Sequence, residues 1–89
     1  MHKAVVNSCA EIGSNCIINS SSLIEHGVKV GNHTHVSTGA ILNGDCKVGN
    51  NSFIGSGTIV KEGVKIGNRC IISMGQIIKK NIKDNQIVK

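Results

Sequence analysis

The chain has no proline, tryptophan or tyrosine, and Phe53 is its one aromatic residue. Small cores usually rely on aromatic side chains as large fillers. Their near absence points to a narrow, regular interior filled by Ile, Val and small residues. No apolar run approaches the ~18 residues of a membrane span, so no membrane partner is expected. Met1-His2-Lys3 leads into no apolar signal core, and a cytoplasmic protein is expected. The net charge is +5, but the basic residues are not clustered in a run and no aromatics are interleaved with them. A nucleic-acid platform wants both, so no nucleic acid is expected and the lysines read as a solvated face. The 89 residues allow one domain, whose core is marginal alone.

What the chain has is a period of six. Val6, Ile12, Ile18, Ile24, Val30, Val36, Leu42, Val48, Ile54, Val60, Ile66, Ile72 and Ile78 follow one another at that fixed interval, and the series stops at Asp84. Neither a single helix nor a single strand has this period, so it signals a stacked repeat. Gly13, Gly31, Gly49 and Gly67 recur at intervals of 18. Three hexads therefore make one unit, and Gly and Asn suit the left-handed backbone of a tight corner. Gly27 and Gly63 share a second corner register with Asp45 and Asn81, and Gly39, Gly57 and Gly75 occupy a third. Three corner columns imply a triangular prism, an all-β parallel β-helix of about four coils. The expected boundaries are a lead-in over 1–5, the helix over 6–83 and a tail over 84–89.

Strand alternation assigns the faces. The aliphatic slot points inward, and so does the residue two before it: Ala10, Cys16, Ser22, Val28, Thr34, Ala40, Cys46, Ser52, Thr58, Val64 and Cys70. Cys16, Cys46 and Cys70 are thus expected as core thiols acting as small hydrophobes, with Cys9 at a corner. The residue just before each aliphatic slot points outward, and this series splits three ways. Glu11, Lys29, Lys47, Lys65 and Lys83 make a charged face. Leu23, Ile41, Ile59 and Ile77 make an apolar stripe; Ile17, His35, Phe53 and Ile71 make a second, broken by one histidine. A monomer rarely exposes two such stripes. They predict either a closed cyclic oligomer, with three copies suiting a triangular prism, or a further domain covering one stripe.

The histidines are the exceptions to the repeat. His2 precedes the first coil, and His33 shares a corner column with Asn15, Asn51 and Arg69, which makes it an exposed turn residue. His35 interrupts a stripe expected to be buried between subunits, where an imidazole needs a partner or a task. His26 stands in a column with Ser8, Gly44 and Glu62. Gly44, one coil on, leaves open space beside the imidazole and bares backbone there. An imidazole beside a slot suits general base catalysis, and exposed N–H groups suit an oxyanion or an amide. Two polar histidines tuning a subunit interface would leave the same pattern.

Ile17-Ile18-Asn19, Ile24-Glu25-His26, Val30-Gly31, His35-Val36-Ser37, Gly39-Ala40 and Gly44 follow one another in a telling order, and Phe53-Ile54-Gly55-Ser56-Gly57 and Val64-Lys65-Ile66-Gly67 continue it. In these residues the chain resembles the hexapeptide-repeat acyltransferases, more narrowly the sugar acetyltransferases of the sialic-acid O-acetyltransferase and bacillosamine-pathway type. The resemblance implies a left-handed β-helix, a homotrimer, and acetyl-CoA as co-substrate lying between prisms. It implies a sugar or nucleotide-sugar acceptor, with His26 as general base. It implies that His35 helps position the acetyl thioester or the acceptor, that the Gly44 backbone lies near the thioester, that Asn19 lies near the acceptor, and that backbone at Ser56 and Met74 lies along the pantetheine arm.

The chain departs from that family in three places. The acidic residue usual after the base is Gly27 here, and Asp45, in the same column one coil on, is the expected substitute. The nucleotide-sugar-binding α/β domain usual before the helix has no counterpart in these residues, nor does the Gly-x-Pro-Ala-Lys-like tail. A non-catalytic trimeric β-helix, an assembly module or remnant of such an enzyme, therefore stands as the competing reading. A metal-dependent hydratase on the same fold needs three converging histidines. His33 and His35 differ by two, leaving only His26 as a third, so no metal is expected.

Overall fold

A computed structural model describes residues 4–7 and 9–89. His2 and Ser8, both considered above, lie outside the described residues. The chain forms fourteen two-residue strands, β1 to β14 in order, and no helix among the described residues. Every strand pair is parallel and in register, and three sheets result. Face A stacks β1 (Val5–Val6), β4 (Leu23–Ile24), β7 (Ile41–Leu42), β10 (Ile59–Val60) and β13 (Ile77–Ile78). Face B stacks β2 (Glu11–Ile12), β5 (Lys29–Val30), β8 (Lys47–Val48) and β11 (Lys65–Ile66). Face C stacks β3 (Ile17–Ile18), β6 (His35–Val36), β9 (Phe53–Ile54), β12 (Ile71–Ile72) and β14 (Ile87–Val88). The chain visits A, B and C in turn, so each coil is a triangle. The architecture is a parallel β-solenoid, consistent with the left-handed winding expected.

Each hexad spends two residues on a strand and then turns. The second turn residue carries a left-handed φ, between 69° and 76° at Gly27, Gly39, Gly57, Gly63 and Gly75. Cys9, Asn15, Ser21, His33, Asp45, Asn51, Arg69 and Asn85 adopt it at 55° to 64°. Gly13, Gly31, Gly49 and Gly67 do not, which corrects the reason given for them above. Their requirement is steric. A Cβ on Gly31 would meet the Asn50 side chain and come within 2.8 Å of the Gly49 carbonyl carbon. That asparagine cannot retreat, because its Oδ1 accepts from the Asn32 amide at 2.7 Å. The same bond repeats up the edge, Ser14 to Asn32, Asn50 to Asn68 and Asn68 to Asp84. Glycine at this column makes room for a side-chain ladder.

The coil count also changes. Ile82 follows Ile78 after four residues rather than six, and pairs with Ile66 sixteen residues back. Ile87–Val88 then pairs with Ile71–Ile72 at the same spacing. The inward series does not stop at Asp84 but slips by two residues, giving about five coils where about four were expected. Lys83 accordingly leaves the charged face. Asn81 takes its place beside Ile82, and its Oδ1 accepts from the Lys65 amide at 2.9 Å.

Ile24, Val36, Leu42, Ile54, Val60 and Ile72 are fully buried. The second inward series is buried from Ser22 to Cys70, while Ala10 and Cys16 are half-buried near the first coil. Its hydroxyls and thiols share one task. Cys16, Ser22, Thr34, Cys46, Ser52 and Thr58 each donate to the carbonyl fifteen residues on, at 2.6 to 3.1 Å. Cys70 reaches the Lys83 carbonyl, thirteen on, because of the shortened coil. The Ser37 and Lys61 carbonyls, which also accept from backbone amides, thus gain a second donor, whereas for Gly31, Gly49, Gly67 and Ser73 the side chain supplies the donor. No buried side-chain N or O among the described residues lacks a partner. Burial pushes the Cys46 thiol up from its ordinary value of 9.0, against backbone hydrogen bonds that lower it. Cys46 therefore holds its proton at neutral pH. The stability it contributes is intact below the unfolded thiol's pKa and falls as pH rises above it. We predict that iodoacetamide labels exposed Cys9 on the native protein at pH 8, and Cys46 and Cys70 only after unfolding. Native labelling of Cys46 at the rate of Cys9, read by mass spectrometry, would contradict this packing.

Candidate active site

Faces A and C are apolar and share an edge, while face B carries Glu11, Lys29, Lys47 and Lys65 in register. On face C, Ile17 is 53% exposed; on face A, Ile77 is 63% exposed. The two stripes are therefore real surfaces of a single chain.

His26 protrudes where the chain leaves β4 and turns the edge between faces A and B, and it is exposed. Glu25 precedes it and accepts from Asn7 Nδ2 at 3.0 Å. Gly27 follows in the left-handed conformation. One coil on, Asn43-Gly44-Asp45 stack over these three residues. The Asp45 amide donates to the His26 carbonyl at 3.0 Å, and the Asn43 amide to the Val60 carbonyl. Gly44 is bare without being crowded, since a Cβ there would come no nearer than 3.6 Å to the His26 carbonyl oxygen. A side chain at Gly44 would meet only the His26 backbone at ordinary contact distance, so the position over His26 is uncrowded. The Asp45 carboxylate overhangs Gly27, where a Cβ would strike its Oδ1. Among the described residues no hydrogen bond or ion pair joins it to His26.

His35 lies elsewhere, half-buried on β6 of face C, between β3 and the central β9. Its ring meets Phe53 edge-on, with centroids 5.1 Å apart and planes at 76°. Asn19 Nδ2 lies 3.0 Å from His35 Nε2. The structure thus joins two predicted site residues, Asn19 and His35, and separates both from His26. A triangular prism has face C opposite its A–B edge, so one chain cannot bring the two imidazoles together. Ser56 and Met74 lie on the third edge, between C and A, and Met74 is 72% exposed. His33 is an exposed left-handed turn residue between faces B and C, as expected. No group of three His, Cys, Asp or Glu side chains gathers among the described residues. Two restraining partners went unread from the sequence, Asn7 on Glu25 and Phe53 on His35. Each lies one 18-residue repeat away, and that spacing was the available signal.

No curated protein matches the chain significantly. The family model for the six-repeat bacterial transferase hexapeptide matches residues 45–75, and that for the hexapeptide repeat of succinyl-transferase matches residues 10–43. Among solved structures, serine acetyltransferase isoform 3 of Entamoeba histolytica, in complex with cysteine, is similar at a TM-score of 0.90 and 24% identity. The likeness covers 94% of this chain and 33% of that one. The acetyltransferase domain of PglB from Neisseria gonorrhoeae, with acetyl coenzyme A, is similar at 0.75 and 22%, over 94% of this chain and 50% of its own. PerB of Caulobacter crescentus, with CoA and GDP-perosamine, is similar at 0.77 and 24%, over 94% and 49%. The chain spans a third to a half of the length of these structures, and at such identities the likeness establishes the fold. Two hexapeptide-transferase models laid side by side along one continuous solenoid support the hexapeptide-repeat transferase family for this chain.

Proposed function

We propose that this chain is the β-helix of an acetyl-CoA-dependent acetyltransferase that acylates an oxygen or nitrogen of a sugar or nucleotide sugar in the cytoplasm. The observation that carries the reading is His26 standing exposed on the A–B edge beside uncrowded Gly44, next to an apolar face that needs covering. A closed homotrimer pairing face A of one copy with face C of the next would cover both stripes. It would also set the A–B edge of one copy, with His26, beside the neighbour's Asn19 and His35. Complexes with acetyl coenzyme A, and with CoA and GDP-perosamine, in similarly folded proteins support this choice of ligands.

In the proposed reaction His26 takes the proton of the acceptor hydroxyl or amine as that group attacks the thioester carbonyl. The Gly44 amide faces the oxyanion of the tetrahedral intermediate. The new C–O or C–N bond persists, the C–S bond breaks, and the thiolate leaves with the proton from His26. Asp45, which overhangs Gly27 directly after His26, is the carboxylate assigned to orient the imidazole. Gly44 of one copy and the backbone of Ser56 and Met74 of the next flank the pantetheine arm.

A second reading has one observation in its favour: among the described residues no carboxylate is bonded to His26, so the fold also fits a non-catalytic trimeric module. Ligand binding separates the two. Acetyl-CoA at 100 times its Kd is expected to add about 2.7 kcal/mol of stability, seen as a rise in Tm. No shift at millimolar acetyl-CoA would favour the module. Oligomerisation has its own test. Ile41→Asp, on the outer side of β7, is expected to reduce the mass by light scattering to one chain, because an unpaired buried charge is costly. An unchanged mass would show that face A meets solvent.

A further inference from the structure

The residue that follows an inward aliphatic leans along the solenoid axis toward the coil above. On the A–B edge Asn7 Nδ2 donates to Glu25 Oε1, and Asn43 Nδ2 to the Val60 carbonyl, each in the next coil. On the B–C edge a Cβ at Gly13, Gly31, Gly49 or Gly67 would strike the next coil, and on the C–A edge so would one at Gly55. In the last coil this position holds Lys79, Lys83 and Lys89, one at each corner. The pairings of Val60 with Ile78, Ile66 with Ile82 and Ile72 with Val88 fix that assignment. No strand stacks above them among the described residues, and all three are exposed. Their ammonium groups therefore stand off the end of the prism. One coil below, the Lys61, Gly67 and Ser73 amides donate upward to the Ile78, Ile82 and Val88 carbonyls at 2.8 to 2.9 Å. The Lys79, Lys83 and Lys89 amides have no acceptor among the described residues. Lys80 adds a fourth exposed cation, while the Asp84 side chain turns down to accept from the Asn68 amide. Between the corners, Ile78, Ile82 and Val88 line an open recess of about 390 Å³.

We infer that this end of the solenoid docks on the headgroups of an anionic phospholipid bilayer. Each corner pairs an ammonium with a free backbone N–H, and a phosphodiester oxygen accepts from both. The three corners ring the end in one plane, so they match a surface that offers acceptors at every point better than a single small anion. Four clustered lysines are the cationic content that holds a protein at an anionic leaflet. Strand edges with unmet amides around an apolar floor would otherwise attract a second copy, but stacking one here buries three ammonium groups. A nucleic acid fits less well, since this end has no aromatic side chain to stack a base, Phe53 being two coils below. Docking of this kind needs no membrane-spanning run. The lysine crown belongs to a single chain and does not depend on acetyl transfer. In the proposed homotrimer three crowns would face one way.

The test is sedimentation of the full chain with vesicles of phosphatidylcholine, alone or mixed with phosphatidylglycerol, at ~0.1 M salt, where the Debye length is about 10 Å. Binding to the mixed vesicles and not to phosphatidylcholine is expected. Lys83→Gln together with Lys89→Gln should weaken that binding about 30-fold, two lysines at about 1 kcal/mol each. Lys29→Gln together with Lys47→Gln removes equal charge from face B, about 14 and 10 Å below the end at ~4.8 Å per coil. This second variant should weaken binding less than about threefold. All four lysines are exposed, so neither variant disturbs the core. No binding to the mixed vesicles, or an equal loss in the two variants, overturns the proposal. So does tighter binding to duplex DNA or to polyglutamate than to the mixed vesicles at equal anion concentration, which would assign the end to a nucleic acid or an acidic protein.

Discussion

His26→Ala is expected to lower kcat for acetyl transfer by about 10²- to 10⁴-fold, the usual contribution of a positioned general base. The fold should survive, because His26 is exposed and its backbone alone is tied into the solenoid, through the bond from the Asp45 amide. The unfolding midpoint is therefore expected to match that of the parent, and acetyl-CoA should still raise Tm. His35→Ala differs in kind. Its ring is half-buried, packed on Phe53 and bonded to Asn19, so that variant loses stability along with any effect on rate. The contrast makes His26 the cleaner probe. A His26→Ala protein that turns over at the parental rate would remove the base from the scheme.

Leu42→Ala is expected to cost about 2 to 5 kcal/mol of stability. Leu42 is fully buried on face A, in register with Ile24 below and Val60 above. A solenoid coil cannot collapse into the resulting void without breaking the parallel bonds to both neighbouring coils. A domain of this size has only about 5 to 15 kcal/mol in total, so the loss is a large share. Urea midpoints measure it, and a midpoint within experimental error of the parent would mean that the inward column is not the core. Its neighbour Ile41 points outward on the same strand, so Ile41→Asp should change the assembled mass and Leu42→Ala the midpoint.

The fold was largely legible because a stacked solenoid repeats one environment. Every sixth residue meets the same interior, so Val6 to Ile78 declare themselves by period alone. The end of the repeat was not legible. Asp84 occupies the next slot by counting, but three residues between Ile78 and Ile82 close the corner that otherwise takes five, and Ile82 and Val88 regain the interior. A fixed period cannot show a skipped step. The role of Gly31 was also hidden. Glycine suggests a left-handed turn, whereas here it clears space for Asn50, nineteen residues on in the next coil.

At the site, His26, Gly44 and Asp45 were readable as one edge because column and coil number follow from sequence spacing. The roles expected of His35 and Asn19, the latter near the acceptor, came only through resemblance, and their mutual bond came from the structure.

By itself the sequence determined a triangular coil, its inward column, one charged face and two apolar ones, since these follow from spacing and side-chain chemistry. Only the tertiary structure decided where the coils end, which side chains brace one another, and that His26 and His35 lie on opposite sides of the prism. The reason is physical. Periodicity reports the environment that each residue shares with its repeats, whereas contacts across a corner depend on the actual path of the backbone between them.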